Sequence, residues 1–187
     1  LMRVQEVLFD ASPPEFTDLK PDDGTALNHK KISYTVSEKL HEGSVTWTHT
    51  GGKDDPEERH RINLAGLELE TGQHSDLNLS KFPNVVDGGI YSIVFRGSDR
   101  AGNQSDTLII EDVLYDFTKP VIAVSHPKNG MYLNHKHMTY LLSENLHEGR
   151  IVWTRTGGMD DPNAPYNIVS YDKDKTEGSH SEKEISG

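Results

Sequence analysis

Apolar and polar residues alternate with period two along much of the chain. Ile32, Tyr34 and Val36 alternate with Ser33, Thr35 and Ser37, and Val45 and Trp47 alternate with Thr46 and Thr48. Tyr91, Ile93 and Phe95 do the same with Ser92, Val94 and Arg96. Successive residues of a strand face opposite sides, so each run predicts a half-buried β-strand. Between the runs lie "HEGS", "TGGKDDP", "VDGG" and "DRAGNQSD", where Gly permits positive φ and Asn or Asp closes a turn with its own side chain. No stretch holds an apolar stripe of period 3.6 for three turns, so the pattern predicts an all-β chain.

The pattern is written twice. "SEKLHEGSVTWTHTGGKDDP" at Ser37 to Pro56 returns as "SENLHEGRIVWTRTGGMDDP" at Ser143 to Pro162, an offset of 106 residues. The same offset pairs Pro21 with Pro127, Tyr34 with Tyr140 and His74 with His180 without a gap. It also maps "VQEVLFD" at Val4 to Asp10 onto "IEDVLYD" at Ile110 to Asp116. Residues 1–10 are therefore expected to be the last strand of a preceding repeat, residues 11–116 one repeat, and residues 117–187 a second repeat that lacks its C-terminal part. Counterparts of Pro83 to Asp116 would need about 35 further residues. Units of this size with short strands and frequent turns predict tandem antiparallel β-sandwiches of immunoglobulin or fibronectin III type.

Composition narrows the partners. The 187 residues include 30 acidic and 19 basic side chains, and a formal charge of -11 repels a phosphate backbone, so nucleic acid is not an expected partner. No apolar run reaches membrane-spanning length, and no membrane insertion by this segment is expected. Cysteine is absent, which removes disulfide frameworks and thiolate metal sites.

Several residues carry chemistry that could be catalytic or merely structural. Trp47 and Trp153 share a face with Val45 and Ile151, which favours a core position over an exposed ring stacked on a sugar. His41-Glu42 and His147-Glu148 lack the second His of a helical zinc motif and precede Gly43 and Gly149, so a polar hairpin is expected. His29 and His74 add no ligand spacing. Asp54-Asp55 and Asp160-Asp161 are adjacent rather than facing, so they read as solvated turns and not as a glycosidase pair. No nucleophile elbow, phosphate loop or dinucleotide fingerprint is present, and no enzyme is expected.

The segments "YTVSEKLHEGSVTWTHTGG", "LAGLELETGQHSDLNL" and "VVDGGIYSIVFRGSDRAGNQSD", with the linker "VLYDFTKPVI", resemble bacterial immunoglobulin-like repeats of very large surface and adhesin-like proteins. The most specific elements are Asp-Xaa-Ala-Gly-Asn at Asp99 to Asn103 and Asp-Xaa-Thr-Xaa-Pro at Asp116 to Pro120. The earlier linker, "DASPPEF", keeps Asp10 and Pro14 but has Ser12 in the Thr place. The resemblance implies an extracellular or cell-surface, non-catalytic module: a semi-rigid spacer or adhesion array. Its partners would be neighbouring repeats and a host or cell-surface protein or glycan. A carbohydrate-binding module using exposed aromatics and acidic turns is the alternative.

Asp10, Asp99, Asn103 and Asp116 form the candidate ligand set for Ca2+, which takes six to eight hard oxygens; the resemblance implies calcium at such junctions. The competing reading gives Asp99 to Asn103 a hairpin turn and makes Asp116 a linker cap. A second repeat without its last strands is expected to leave unpaired sheet edges and to recruit Val4 to Phe9 of another copy by strand swapping.

Overall fold

A computed structural model describes residues 7–78, 84–135, 137–160, 162–169 and 172–184. Strand takes 47% of the chain and helix 4%. The chain divides into two compact units, Leu1–Thr118 and Lys119–Gly187. The division falls two residues beyond Asp116, within the Asp-Xaa-Thr-Xaa-Pro linker.

The first unit contains β1 (Phe16–Lys20), β2 (Ala26–Leu27), β3 (Lys31–Val36), β4 (Glu42–Gly52), β5 (Arg59–Asn63), β6 (Gly72–Asn78), β7 (Gly89–Ser98) and β8 (Leu108–Tyr115), with a 3-10 turn at Gly66–Leu69. One sheet has the order β1-β3-β6 and the other β2-β8-β7-β4-β5. All pairings are antiparallel except β2 with β8, where Ala26 and Leu27 run parallel to Leu114 and Tyr115. The inward residues of the two sheets meet in one core, as the alternation requires. Ile32, Tyr34, Val36, Val45, Trp47, Tyr91, Ile93 and Phe95 are all buried. Phe95 of one sheet packs against Phe16 and Tyr34 of the other at ring-centroid distances of 6.1 and 5.9 Å. These are tilted contacts of the kind that let aromatic quadrupoles attract.

"HEGS" is not a turn. β4 begins at Glu42 and includes Gly43, where a Cβ would meet Leu64 Cδ1 at 2.8 Å. Its role is close approach and not unusual conformation. The following Gly pair behaves differently: Gly52 has φ 72°, and a side chain on it would overlap the Gly88 carbonyl oxygen. That oxygen accepts the Lys53 N–H at 2.8 Å.

The second unit contains β9 (Ile122–His126), β10 (His137–Leu142), β11 (Arg150–Trp153), β12 (Tyr166–Val169) and β13 (Gly178–Glu184), in sheets ordered β13-β10-β9 and β11-β12. Met138, Tyr140 and Leu142 form its buried cluster. Hydrogen bonds of the first unit return 106 residues later. Ser37 Oγ accepts the Glu15 N–H at 2.9 Å, and Ser143 Oγ accepts the Val121 N–H at 2.8 Å. Tyr34 donates to the Glu68 carbonyl and Tyr140 to that of Asp174, while His74 and His180 lie over those tyrosines, each at 4.8 Å.

The copies part at the tryptophans. Trp47 is fully buried where β4 lies between β5 and β7, whereas Trp153 is 37% exposed on β11, which pairs with β12 alone among the described residues. At the N-terminus, residues 7–10 form no strand, and Val7, Leu8 and Phe9 are exposed. The rest of the expected strand Val4 to Phe9 lies outside the described residues.

Trp47→Ala is expected to destabilise the first unit by about 3–5 kcal/mol. Trp153→Ala is expected to cost the second unit about 1 kcal/mol, because a partly exposed ring forfeits less burial. Urea denaturation followed by residue-resolved hydrogen exchange separates the two units; equal costs would mean that Trp153 is as buried as Trp47.

Candidate functional site

Three places in the first unit gather polar chemistry. At the end of the unit where the chain leaves its linker, β7 finishes at Ser98 and the loop Asp99 to Asn103 turns back. Asp99 is nearly buried, and its Oδ1 accepts the N–H groups of Gly102 and Asn103 at 2.7 and 2.9 Å. Asn103 Nδ2 donates to Asp99 Oδ2 at 2.7 Å and to the Asp10 carbonyl at 3.2 Å. Burial alone would raise the Asp99 pKa, but the bonds from Asn103, Gly102 and Ala101 outweigh it and hold the carboxyl below its ordinary range.

Asp10 and Asp99 are therefore brought together, and Glu38 joins them: the three offer carboxylate oxygens within 4.8 Å of one another. Burial, then repulsion from Asp10 and Asp99, pushes Glu38 above the usual carboxylate range. These three residues could hold a hard cation such as Ca2+. Asn103 faces Asp99 with its amide N–H, so its part here is to donate and fasten. Asp116 does not join the group. β7 and its neighbours place Tyr115 opposite Gly89 at one end and Glu42 opposite Ser98 at the other. Ten residues of strand separate these ends by roughly 30 Å. Asp116 instead repeats the local work of Asp10: each accepts a backbone N–H two residues on, from Ser12 and Thr118, at 3.0 and 3.1 Å.

At the opposite end, Asp87 holds the outgoing linker. Its Oδ1 accepts the Phe117 N–H at 2.9 Å and its Oδ2 the Thr118 hydroxyl at 2.5 Å. The Thr118 hydroxyl, then the Phe117 N–H, lower the Asp87 pKa. Beside it, Asp55 corrects the expectation of a solvated turn. It is 2% exposed, and its Oδ2 accepts from His60 Nε2 and from the Tyr91 hydroxyl, both at 2.7 Å. Its Oδ1 accepts the Glu57 N–H at 3.0 Å, and the Tyr91 oxygen in turn accepts the Val86 N–H at 2.7 Å. Burial would raise the Asp55 pKa, but the bonds from His60, Tyr91 and Glu57 outweigh it and lower it. Asp161, the counterpart of Asp55, lies outside the described residues.

The third place is the outer face of the five-stranded sheet. Thr46, Thr48, Arg59, Arg61, Arg96 and Gln104 help to line a shallow depression of about 810 Å³, and no Phe, Tyr or Trp lines it. His41 and Glu42 sit at its rim as exposed residues. Glu38, His60 and Asp87 were not singled out by sequence, and Asp55 was singled out only as part of a solvated turn. The retained Glu38/Glu144 and Asp55/Asp161 pairs carried a signal, but Asp10 and Asp99, which meet Glu38, and Tyr91, which donates to Asp55, lie far away along the chain.

Compared with protein-family models, curated proteins and solved structures, the chain matches none.

Asp55→Ala is expected to cost about 3 kcal/mol, because buried His60 and Tyr91 donors lose their acceptor. A lowered carboxyl pKa contributes stability that is fully present above the unfolded value of 3.8 and is lost as pH falls through the folded value. Asp55→Asn should therefore flatten the stability of the first unit below about pH 4; an unchanged acid profile would count against the ionised network. Glu38→Gln is expected to raise the melting temperature at pH 7 in chelator by removing like-charge repulsion, and to abolish any rise produced by calcium. A fall in chelator would show that Glu38 contributes more than it costs.

Proposed function

We propose that this chain is a non-catalytic part of a large bacterial cell-surface or secreted repeat protein, in which tandem immunoglobulin-like sandwiches serve as a semi-rigid spacer or adhesion array. The observation that carries the reading is how the first unit treats its own linkers. Asn103 holds the Asp10 carbonyl where the chain comes in, and Asp87 holds Phe117 and Thr118 where it goes out. Side chains spent on fixing both ends of a unit serve an array, because each fixed linker residue removes freedom between neighbours. The strand orders β1-β3-β6 and β2-β8-β7-β4-β5 around one core support a sandwich of immunoglobulin type. Hydrogen bonds repeated at 106 residues support a tandem unit.

The same geometry argues against catalysis at the most enzyme-like constellation. The Asp55 and His60 side chains are each 1% exposed, and both are consumed by bonds that close the fold. Calcium at Asp10, Glu38 and Asp99, where it binds, would fasten the incoming linker further. An extracellular setting follows from the proposed role.

Asp87→Ala is expected to leave the core of the first unit folded while lowering the backbone order parameters of residues 117–119 in NMR relaxation. Unchanged order there would remove the linker argument. In parallel, a glycan array should give no specific hit; micromolar binding to one sugar class would favour the carbohydrate-binding alternative.

A further inference from the structure

Three histidines of the second unit come together through the pairing of β9 with β10. Thr139 lies opposite His126 in the antiparallel register, and His137 precedes Thr139 by two residues, on the same side of β10. His135 continues that alternation just before the strand. The rings of His126 and His135 are stacked at 5.5 Å and those of His135 and His137 lie 5.2 Å apart. Together with Ser125 and Thr139 they line a depression of about 430 Å³. His126 Nε2 is shielded from solvent and has no hydrogen-bond partner among the described residues. A buried imidazole nitrogen without a partner is costly unless something fills the position.

The first unit shows what these positions look like without the cluster. The counterparts of His126, His135 and His137 are Lys20, His29 and Lys31. The local turn is the same in both, with His29 Nδ1 accepting the Lys31 N–H at 3.3 Å and His135 Nδ1 accepting that of His137 at 3.2 Å. The second unit keeps the turn and replaces both lysines, whose ammonium groups have donors only, by histidines, whose ring nitrogens can serve as metal ligands.

We propose that His126, His135 and His137 bind a borderline divalent transition-metal ion, of the class of Zn2+. Imidazole nitrogen suits such ions and oxygen-seeking Ca2+ does not compete well for it. The three rings do not yet bring their nitrogens within the 4.8 Å mutual spacing reached by Asp10, Glu38 and Asp99. His135 is exposed, so its ring is free to turn, and the proposed site requires that turn at the expense of the long bond from the His137 N–H. Ser125 Oγ is already engaged with the Thr139 carbonyl at 3.2 Å, so water completes the coordination.

The test is titration of the whole chain with Zn2+ by calorimetry, in wild type and in His126→Lys/His137→Lys, which installs the residues that the first unit carries at these positions. Wild type is expected to bind one Zn2+ more than the double variant, or to bind its tightest Zn2+ at least tenfold more strongly, with Ca2+ giving no such difference. Equal stoichiometry and affinity would overturn the proposal. A second measurement needs no variant: paramagnetic Ni2+ at substoichiometric amounts should broaden the NMR signals of His126, His137 and Thr139 before those of His29, His41 or His147. Broadening that begins at those other histidines would equally overturn it.

Discussion

The first unit depends on a single carboxylate placed where water cannot reach it. Asp55 Oδ2 takes two hydrogen bonds, one from β5 through His60 and one from β7 through Tyr91. The Tyr91 oxygen then holds the Val86 N–H, so the loop before β7 is tied to the same point. An ionised group is costly to bury unless its lone pairs are filled, and here each neighbour that fills one is itself positioned by the result. Gly89 lacks a side chain because the Tyr91 ring occupies that space, with a Cβ meeting the hydroxyl at 2.7 Å. The loop anchored in this way carries Asp87, which grips the outgoing linker. Core packing and linker restraint therefore share one mechanical origin.

The strands were legible because burial has the period of the strand. Ile32, Tyr34, Val36, Tyr91, Ile93 and Phe95 all point inward, as alternation demands. What could not be read were contacts between residues distant in the chain. Asp54-Asp55-Pro56 looks like a solvated turn until Tyr91, 36 residues on, donates to Asp55. Glu38 carries no motif, and meets Asp10 and Asp99 only when β3 and β7 end on the same side of the unit. Asp10 and Asp116 looked like members of one ligand set because linker and loop occur together in the sequence. Each belongs instead to its own linker, with one at either end of β7.

The repetition explains which side chains do structural work. Tyr34 and His74, like Tyr140 and His180, pack ring against ring and bond to backbone carbonyls, so the repeated histidines are packing elements. Yet identity of sequence does not guarantee identity of environment. Trp47 and Trp153 occupy equivalent places on β4 and β11, and among the described residues only the former lies between two partner strands. A side chain's burial belongs to the whole sheet, not to the residue or its immediate neighbours.

The positions where the copies differ therefore carry a different kind of information. A change on the surface of an otherwise preserved frame leaves folding free to proceed and alters chemistry alone. Arg59 and Arg61, on the outer face of the first unit, correspond to Pro165 and Asn167. Lys20 and Lys31 correspond to His126 and His137. The backbone bond from residue 31 or 137 to the preceding histidine survives the second exchange unchanged in kind. One frame thus presents guanidinium groups on a sheet face in one copy and imidazoles on the paired strands β9 and β10 in the other. The exchange alters the surface chemistry of these positions and leaves the hydrogen bonds of the frame in place.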